Sequence, residues 1–391
     1  MIYLDAVSAM PLRPEAVAAM QPFLAEGWGN PMSLHAAGDR PKAAIEEARA
    51  DVAALIEADP REIIFTASGS ESNNLAVKGI ALALAARRSG RRHIIISAVE
   101  HPSVTAACQS LEARGFRTIV LPVDRHGRVD PAEIHLHLNE QTCLVSIQAA
   151  SGEIGTIQPI AEIGAMTRRE GILLHVDAVA AAGRIPIDVE AMKIDALSLS
   201  SNQLGGPPGA GALYVRRGVR LAAQTDGGIQ ERGRRAGLEA VPNIAGMGVA
   251  ARSAKAELPT LSGQLDPLTR HLKESLKFDG WHLTGHPVER LPGHVSLVIE
   301  FVEGEALVMA LSRDGVAAAA GTACRERTAW RASPTLLALG LDQPLAQGAV
   351  IFSLWRGNSL GEIDQAAKLI RQNVLYLRAL SPLHAARRAE V

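Results

Sequence analysis

The stretch SLSSNQLGGPPGAGALYVRRG, residues 198–218, reads as a strand, a turn rich in glycine and proline, and a second strand. Working outward, the strand candidates are DALSLSS and GALYVRR on either side of that turn, preceded by EIIFTA, RHIIISA, FRTIVLPV, TCLVSIQA and GILLHVDA. Several are apolar on consecutive positions, the pattern of strands covered by helices on both faces. Between them lie helical stretches with start signals: Asp130 as N-cap with Pro131 and Glu133 behind it, and Ser359 with Glu362 as a capping box. This alternation implies an α/β fold with a mainly parallel seven-stranded sheet. After about residue 255 the pattern restarts with HVSLVIEF, a helix over 304–313, GAVIFSLW and a terminal amphipathic helix from Ser359 to about Leu380. The expected organisation is a large domain over 13–255 and a smaller α+β domain, built from 1–12 and 256–391, that carries Cys324 and Arg356.

At 391 residues the chain exceeds one average domain. Its 40 basic and 41 acidic side chains create no field that would draw nucleic acid or an anionic membrane. The longest apolar runs, such as IALALAA at 80–86, fall short of a spanning helix, and the opening residues carry no export pattern. A cytoplasmic protein that meets a small molecule or another protein is expected. The three cysteines, Cys108, Cys143 and Cys324, lack metal-type spacing and form no disulfide framework, so no metal is expected. Cys108 in a helix and Cys143 in a strand read as small buried hydrophobes. Cys324 stands beside the polar run RERTAWR, where Arg325 and Arg327 favour a thiolate.

Loops at the carboxyl ends of parallel strands are where such sheets bind ligands. Here they read TASGSESNN (66–74), EHPS (100–103), ASGEIGTIQPI (150–160) and HVDAVAAAG (175–183). Together with GGIQERGRRAGLEAVPNIAG (227–246), GTACRE (321–326) and FSLWRGN (352–358), their order and spacing resemble the cysteine desulfurases of the NifS/IscS type, class V aminotransferase-like proteins with the fold-type I architecture of pyridoxal phosphate enzymes. The resemblance runs nearly end to end. It implies that Asp177 pairs with the pyridine nitrogen of the cofactor and that His101 stacks on its ring. It implies that Gly69 and Ser70, opening a helix that runs from about Glu71, hold the phosphate with Ser200. Arg356 would grip a substrate carboxylate, and Cys324 would take sulfur from cysteine as a persulfide. Taken singly, Asp177 reads more readily as an ordinary strand-end cap and Arg356 as a surface ion pair; it is their occurrence together and in this order that favours the functional reading. The resemblance also implies a homodimer with the 227–237 loop at its boundary, although that charged loop reads equally as a solvated face, together with cysteine or persulfide sulfur donors and sulfur-acceptor or scaffold proteins as partners.

The sequence departs from that pattern where the chemistry is done. Gln203 stands in place of the Schiff-base lysine, and Asn202 in place of a phosphate-binding histidine. Ala180 replaces a glutamine at the ring's phenolic oxygen, Ser151 and Gly152 replace an asparagine pair, Leu238 replaces a threonine that reaches a partner's phosphate, and DAVSAMP replaces a pattern of the type DNAATTP. An amide is not nucleophilic and takes up no proton near neutral pH. Three or four lost hydrogen bonds weaken cofactor binding by roughly 4–7 kcal/mol, or about three to five decades. The expectation is a desulfurase-like chain with weak or absent pyridoxal phosphate binding, acting through Cys324 as sulfur acceptor, carrier or assembly scaffold. An active desulfurase with non-covalently held cofactor, and a regulatory partner subunit of a true desulfurase, are the alternatives.

Overall fold

The apolar runs assemble as one sheet. The computed structural model describes residues 1–87, 90–321 and 332–385. Along the chain, β1 (Ile2–Tyr3) precedes α1 (Pro14–Ala25) and α2 (Ala36–Leu55); β2 (Ile63–Thr66) then leads into α3 (Gly69–Ala86), and β3 (His93–Ser97) into α4 (Pro102–Glu112). Next come β4 (Arg117–Leu121), α5 (Pro131–His137), β5 (Thr142–Gln148), α6 (Ile160–Arg169), β6 (Leu173–Asp177), β7 (Ala196–Ser200) and β8 (Gly211–Val215). After the short α7 (Gln230–Gly233), α8 (Val241–Ser275) leads to β9 (Trp281–Leu283), β10 (His294–Ile299), α9 (Gly304–Arg313) and β11 (Val316–Ala317). The chain closes with α10 (Pro334–Ala338), α11 (Gln343–Ala346), β12 (Ala349–Ser353) and α12 (Leu360–Leu380).

The seven strands take the order β2-β8-β7-β6-β5-β3-β4. Only β8 runs against the others, pairing antiparallel with both β2 and β7. Every residue of β5, β7 and β8 is buried, which is why their sequences stay apolar or small without alternation. The turn between β7 and β8 needs its glycines. Gly205 and Gly209 both adopt positive φ, and a Cβ at Gly205 would meet Arg13 Cγ at 2.9 Å.

A second core, with Leu4, Val295, Leu307, Phe352 and Ile370 at its centre, lies between the sheet β12-β10-β9 and helices α9 and α12. The opening residues belong with it: β1 pairs with β11, and Asp5 bridges to Ser353. Residue 255 falls inside α8, a continuous helix of 35 residues. Its first half packs in the main core through Met247 and Ala251, and its second half gives Leu265 and Leu272 to the C-terminal core. Capping follows the sequence signals at Asp130, which accepts from Ala132 N, and at Ser359, where the full box with Glu362 forms. Helix α3 corrects one boundary. It begins at Gly69 rather than near Glu71, because Ser68 caps it by accepting from Glu71 N at 3.1 Å. Among the described residues no helix is long and apolar enough to cross a membrane.

Candidate functional site

Strand β6 ends on Asp177, which is 5% exposed. Its Oδ2 accepts from Asn73 Nδ2 at 2.7 Å, and its Oδ1 from Val179 N at 3.0 Å. Asn73 lies on α3 and also donates to Ser103 Oγ at 2.9 Å. Ser103 in turn meets His101, the N-cap of α4, whose Nδ1 accepts from Ser103 N at 3.1 Å and lies 2.7 Å from Ser103 Oγ. The structure thus links Asp177 to His101 through Asn73 and Ser103, two residues the motif reading did not single out. Burial pushes the Asp177 carboxyl above its ordinary range, while the Val179 amide, the His101 charge and the Asn73 amide pull it back.

Behind this chain lies Glu100, which sequence reasoning also passed over. It is fully buried, accepts from Ser97 Oγ at 2.5 Å and from Gln148 N at 3.1 Å, and leaves Oε2 without a hydrogen-bond partner. Burial pushes it up to about 8, so at neutral pH Glu100 is mostly protonated and adds little charge beside Asp177. The EHPS run was the available signal, although nothing local in it shows which way Glu100 faces. His175, two residues before Asp177, is structural: its ring lies between Ser146 and Ser198 at 2.8 and 2.9 Å, and burial drops it to about 3.

At the first turn of α3, Glu71 Oε2 accepts from Ala67 N at 2.7 Å, and Arg235 holds Glu71 Oε1 at 2.9 Å. No acceptor among the described residues takes the amides of Gly69 and Ser70, which therefore face any anion placed there. A Cβ on Gly69 would come within 3.3 Å of Ser200 Cβ, so Ser200 borders the same turn. Its hydroxyl is already directed at Asn202 Oδ1, at 2.5 Å.

The tip of the β7–β8 turn faces the N-terminal segment. Gln203 Nε2 donates to Val7 O at 2.6 Å and to Ser8 O at 3.2 Å. Asn202 Nδ2 donates to Ser8 O at 3.3 Å, and Asn202 O accepts from Met10 N at 2.9 Å. Gln203 Oε1 is buried without a partner. Both amides hold DAVSAMP in place, a contact between residues some 195 positions apart that no local pattern announces.

The remaining expected residues are dispersed. Ala180 is half-buried against the main core and offers no polar group. Leu238 is 61% exposed. Arg356 is an exposed ion-paired residue: it hydrogen-bonds Glu257 Oε1, and its second nitrogen lies 3.8 Å from Glu15. Glu257 also takes both terminal nitrogens of Arg13 at 2.7 Å. In the 227–237 loop Glu231 is buried, not solvated, and pairs with Arg49 at 2.8 and 2.9 Å. Cys108 and Cys143 are buried, and burial raises both thiols to about 12, which leaves them inert. Cys324 lies outside the described residues.

The fit to pyridoxal phosphate is therefore divided. A buried carboxylate oriented by two donors suits a protonated ring nitrogen, and the open amides at α3 suit a phosphate. At the aldehyde end there is no amine, and the amide nitrogen that stands there is committed to two backbone carbonyls. The site does not fit the covalently tethered cofactor.

Comparison with known proteins gives one consistent result. Residues 2–365 match the family model for aminotransferase class-V. The chain is 42% identical to the cysteine desulfurase IscS of Methanosarcina thermophila, over 98% of this chain and 94% of that one. It is 40% identical to the human cysteine desulfurase, over 98% of this chain and 83% of the relative. A solved NifS-like protein superposes with a TM-score of 0.88 at 33% identity, covering 96% of this chain and 99% of that one. A structure described as SspA in complex with cysteine gives 0.80 at 30% identity, covering 90% and 99%.

Proposed function

The chain belongs to the cysteine desulfurases of the class-V aminotransferase family, and from that premise we propose that it no longer carries out lysine-dependent desulfuration but receives and passes on sulfur through Cys324. Pyridoxal phosphate, when bound to such a fold, supplies an electron sink for the substrate's amino acid carbon. This chain lacks the amine that would tether it and move protons there, and the observation that carries the reading is Gln203, whose amide donates to Val7 O and Ser8 O. With cofactor binding weak or absent, the useful group left is the thiol. The Cys324 thiolate attacks the terminal sulfur of a donor persulfide, the donor's S–S bond breaks, and the donor cysteine leaves as thiolate. Charge and electrons balance without an added oxidant. A homodimer, a cytoplasmic setting and partners that donate or accept sulfur belong to the same proposal.

A second reading keeps desulfuration alive with non-covalently held cofactor, and the oriented Asp177 carboxylate favours it. Intact-mass and peptide mass spectrometry after incubation with an active desulfurase and cysteine separates the two. One added sulfur on Cys324, lost with dithiothreitol and absent in Cys324→Ser, is expected. An unmodified Cys324 beside a persulfidated donor rejects the carrier role.

A further inference from the structure

Among the described residues Arg184 stands apart from the other buried arginines in having a buried guanidinium nitrogen with no hydrogen-bond partner. Arg49 is paired with Glu231, and Arg13, 6% exposed, with Glu257. Arg290 carries no carboxylate but donates to the carbonyls of His286 and Thr284 and lies 3.5 Å from Ser296 Oγ. Arg184 is 3% exposed, and its only hydrogen bond among the described residues is from NH2 to Ala6 O at 2.8 Å. Its Nε is buried with no partner, and it forms no ion pair among the described residues. Burial lowers its pKa only to about 10, so the guanidinium remains charged at neutral pH.

Arg184 lines a cavity of about 20 Å³, with Arg13, Glu257, Leu354 and Arg356 around it. Glu257 is matched one to one by Arg13 in a bidentate pair, and Arg356 shares Glu257 with a second carboxylate, Glu15. That arithmetic leaves one uncompensated positive charge against the cavity wall, and a buried charge without a counter-charge costs several kcal/mol. A void of about 10–15 Å³ holds one water. The space has room for a water or a small anion beside the guanidinium. We propose that this cavity, where the N-terminal segment meets α8 and the loop after β12, is a structural site for a single monatomic anion of the chloride class, held by Arg184.

The site is distinct in role from the Asp177 cluster and stands whether or not Cys324 accepts sulfur. Crystals of the full chain soaked in sodium bromide and measured at the bromine edge test it first. An anomalous peak inside the cavity, within contact of the Arg184 guanidinium, is expected; a water there with bromide only at the surface overturns the proposal. In solution, sodium chloride should raise the melting temperature saturably, by about 2 °C beyond sodium gluconate at matched ionic strength. Arg184→Met should melt independently of the choice between these salts. Equal melting of the wild type in both salts, or a chloride-specific rise that persists in Arg184→Met, also overturns it.

Discussion

Two neighbouring strand ends of the same sheet have gone different ways. After β6, Asp177 is buried and held by an amide from α3 and a backbone N–H, with a raised pKa that marks it as poorly solvated. Nothing among the described residues neutralises it by an ion pair. After β7, Asn202 and Gln203 have turned their amides onto the carbonyls of the N-terminal segment. The first arrangement spends stability to hold a charge ready for a ligand. The second uses positions suited to ligand chemistry to fasten the chain to itself. If that is right, substitutions at the two ends must move stability in opposite directions.

The largest effect is expected at Glu100, which underlies the first end. Its folded pKa lies above its unfolded value, so the native state binds the extra proton and stability falls as pH rises from about 4.5 to about 8. The buried His175 and His294, both lowered to about 3, act oppositely and cost stability only as pH falls below about 6.5. Between pH 6 and 9 the wild type should therefore lose about 3 kcal/mol more than Glu100→Gln, at about 1.4 kcal/mol per pH unit, read by urea melts. Parallel curves would mean that Glu100 keeps its charge and the strand-end cluster is more solvated than described.

Next in size is Gln203→Ala. Losing two hydrogen bonds in a closed turn should cost about 2 kcal/mol and speed amide exchange across residues 7–10. A neutral substitution would dissolve the contrast between the two ends. Asp177→Asn removes the buried charge but turns one of the two accepting oxygens into an amide nitrogen, so it keeps one of the two hydrogen bonds; at pH 8 relief of the charge should outweigh the bond lost by about 1 kcal/mol, with the gain vanishing as pH falls through the Asp177 pKa. Thermal melts at pH 5 and 8 check the sign. Smallest of all is Leu238→Thr. At 61% exposure it should shift stability by less than about 0.5 kcal/mol, and a larger shift in the melt would show Leu238 to be covered in solution.

How far the sequence could be read divides along the same line. Consecutive apolar positions in TCLVSIQA and GALYVRR gave away strands buried on both faces, and side-chain caps at Asp130 and Ser359 fixed helix starts because capping is a contact across two or three residues. Asp177 and His101 were legible as strand-end groups. What joins them was not: Asn73 and Ser103 meet from α3 and α4 only once the sheet has formed. Arg356 pairs with Glu257 nearly a hundred positions away, and Gln203 reaches Val7 across most of the large domain. Arg184 gave no signal at all, because an uncompensated charge is defined by what fails to surround it in space.

The central claim is that the amide at position 203 has closed the lysine-dependent route. The direct measurement is alanine released from cysteine by the purified chain in saturating pyridoxal phosphate and a reducing thiol, with an active cysteine desulfurase run alongside. Alanine at the no-protein background is the expected result, and Gln203→Lys should stay at least about a hundredfold below the active enzyme because Asn202, Ala180 and Leu238 are unchanged. Alanine formed by the wild-type chain at a rate comparable to the active enzyme would contradict the account.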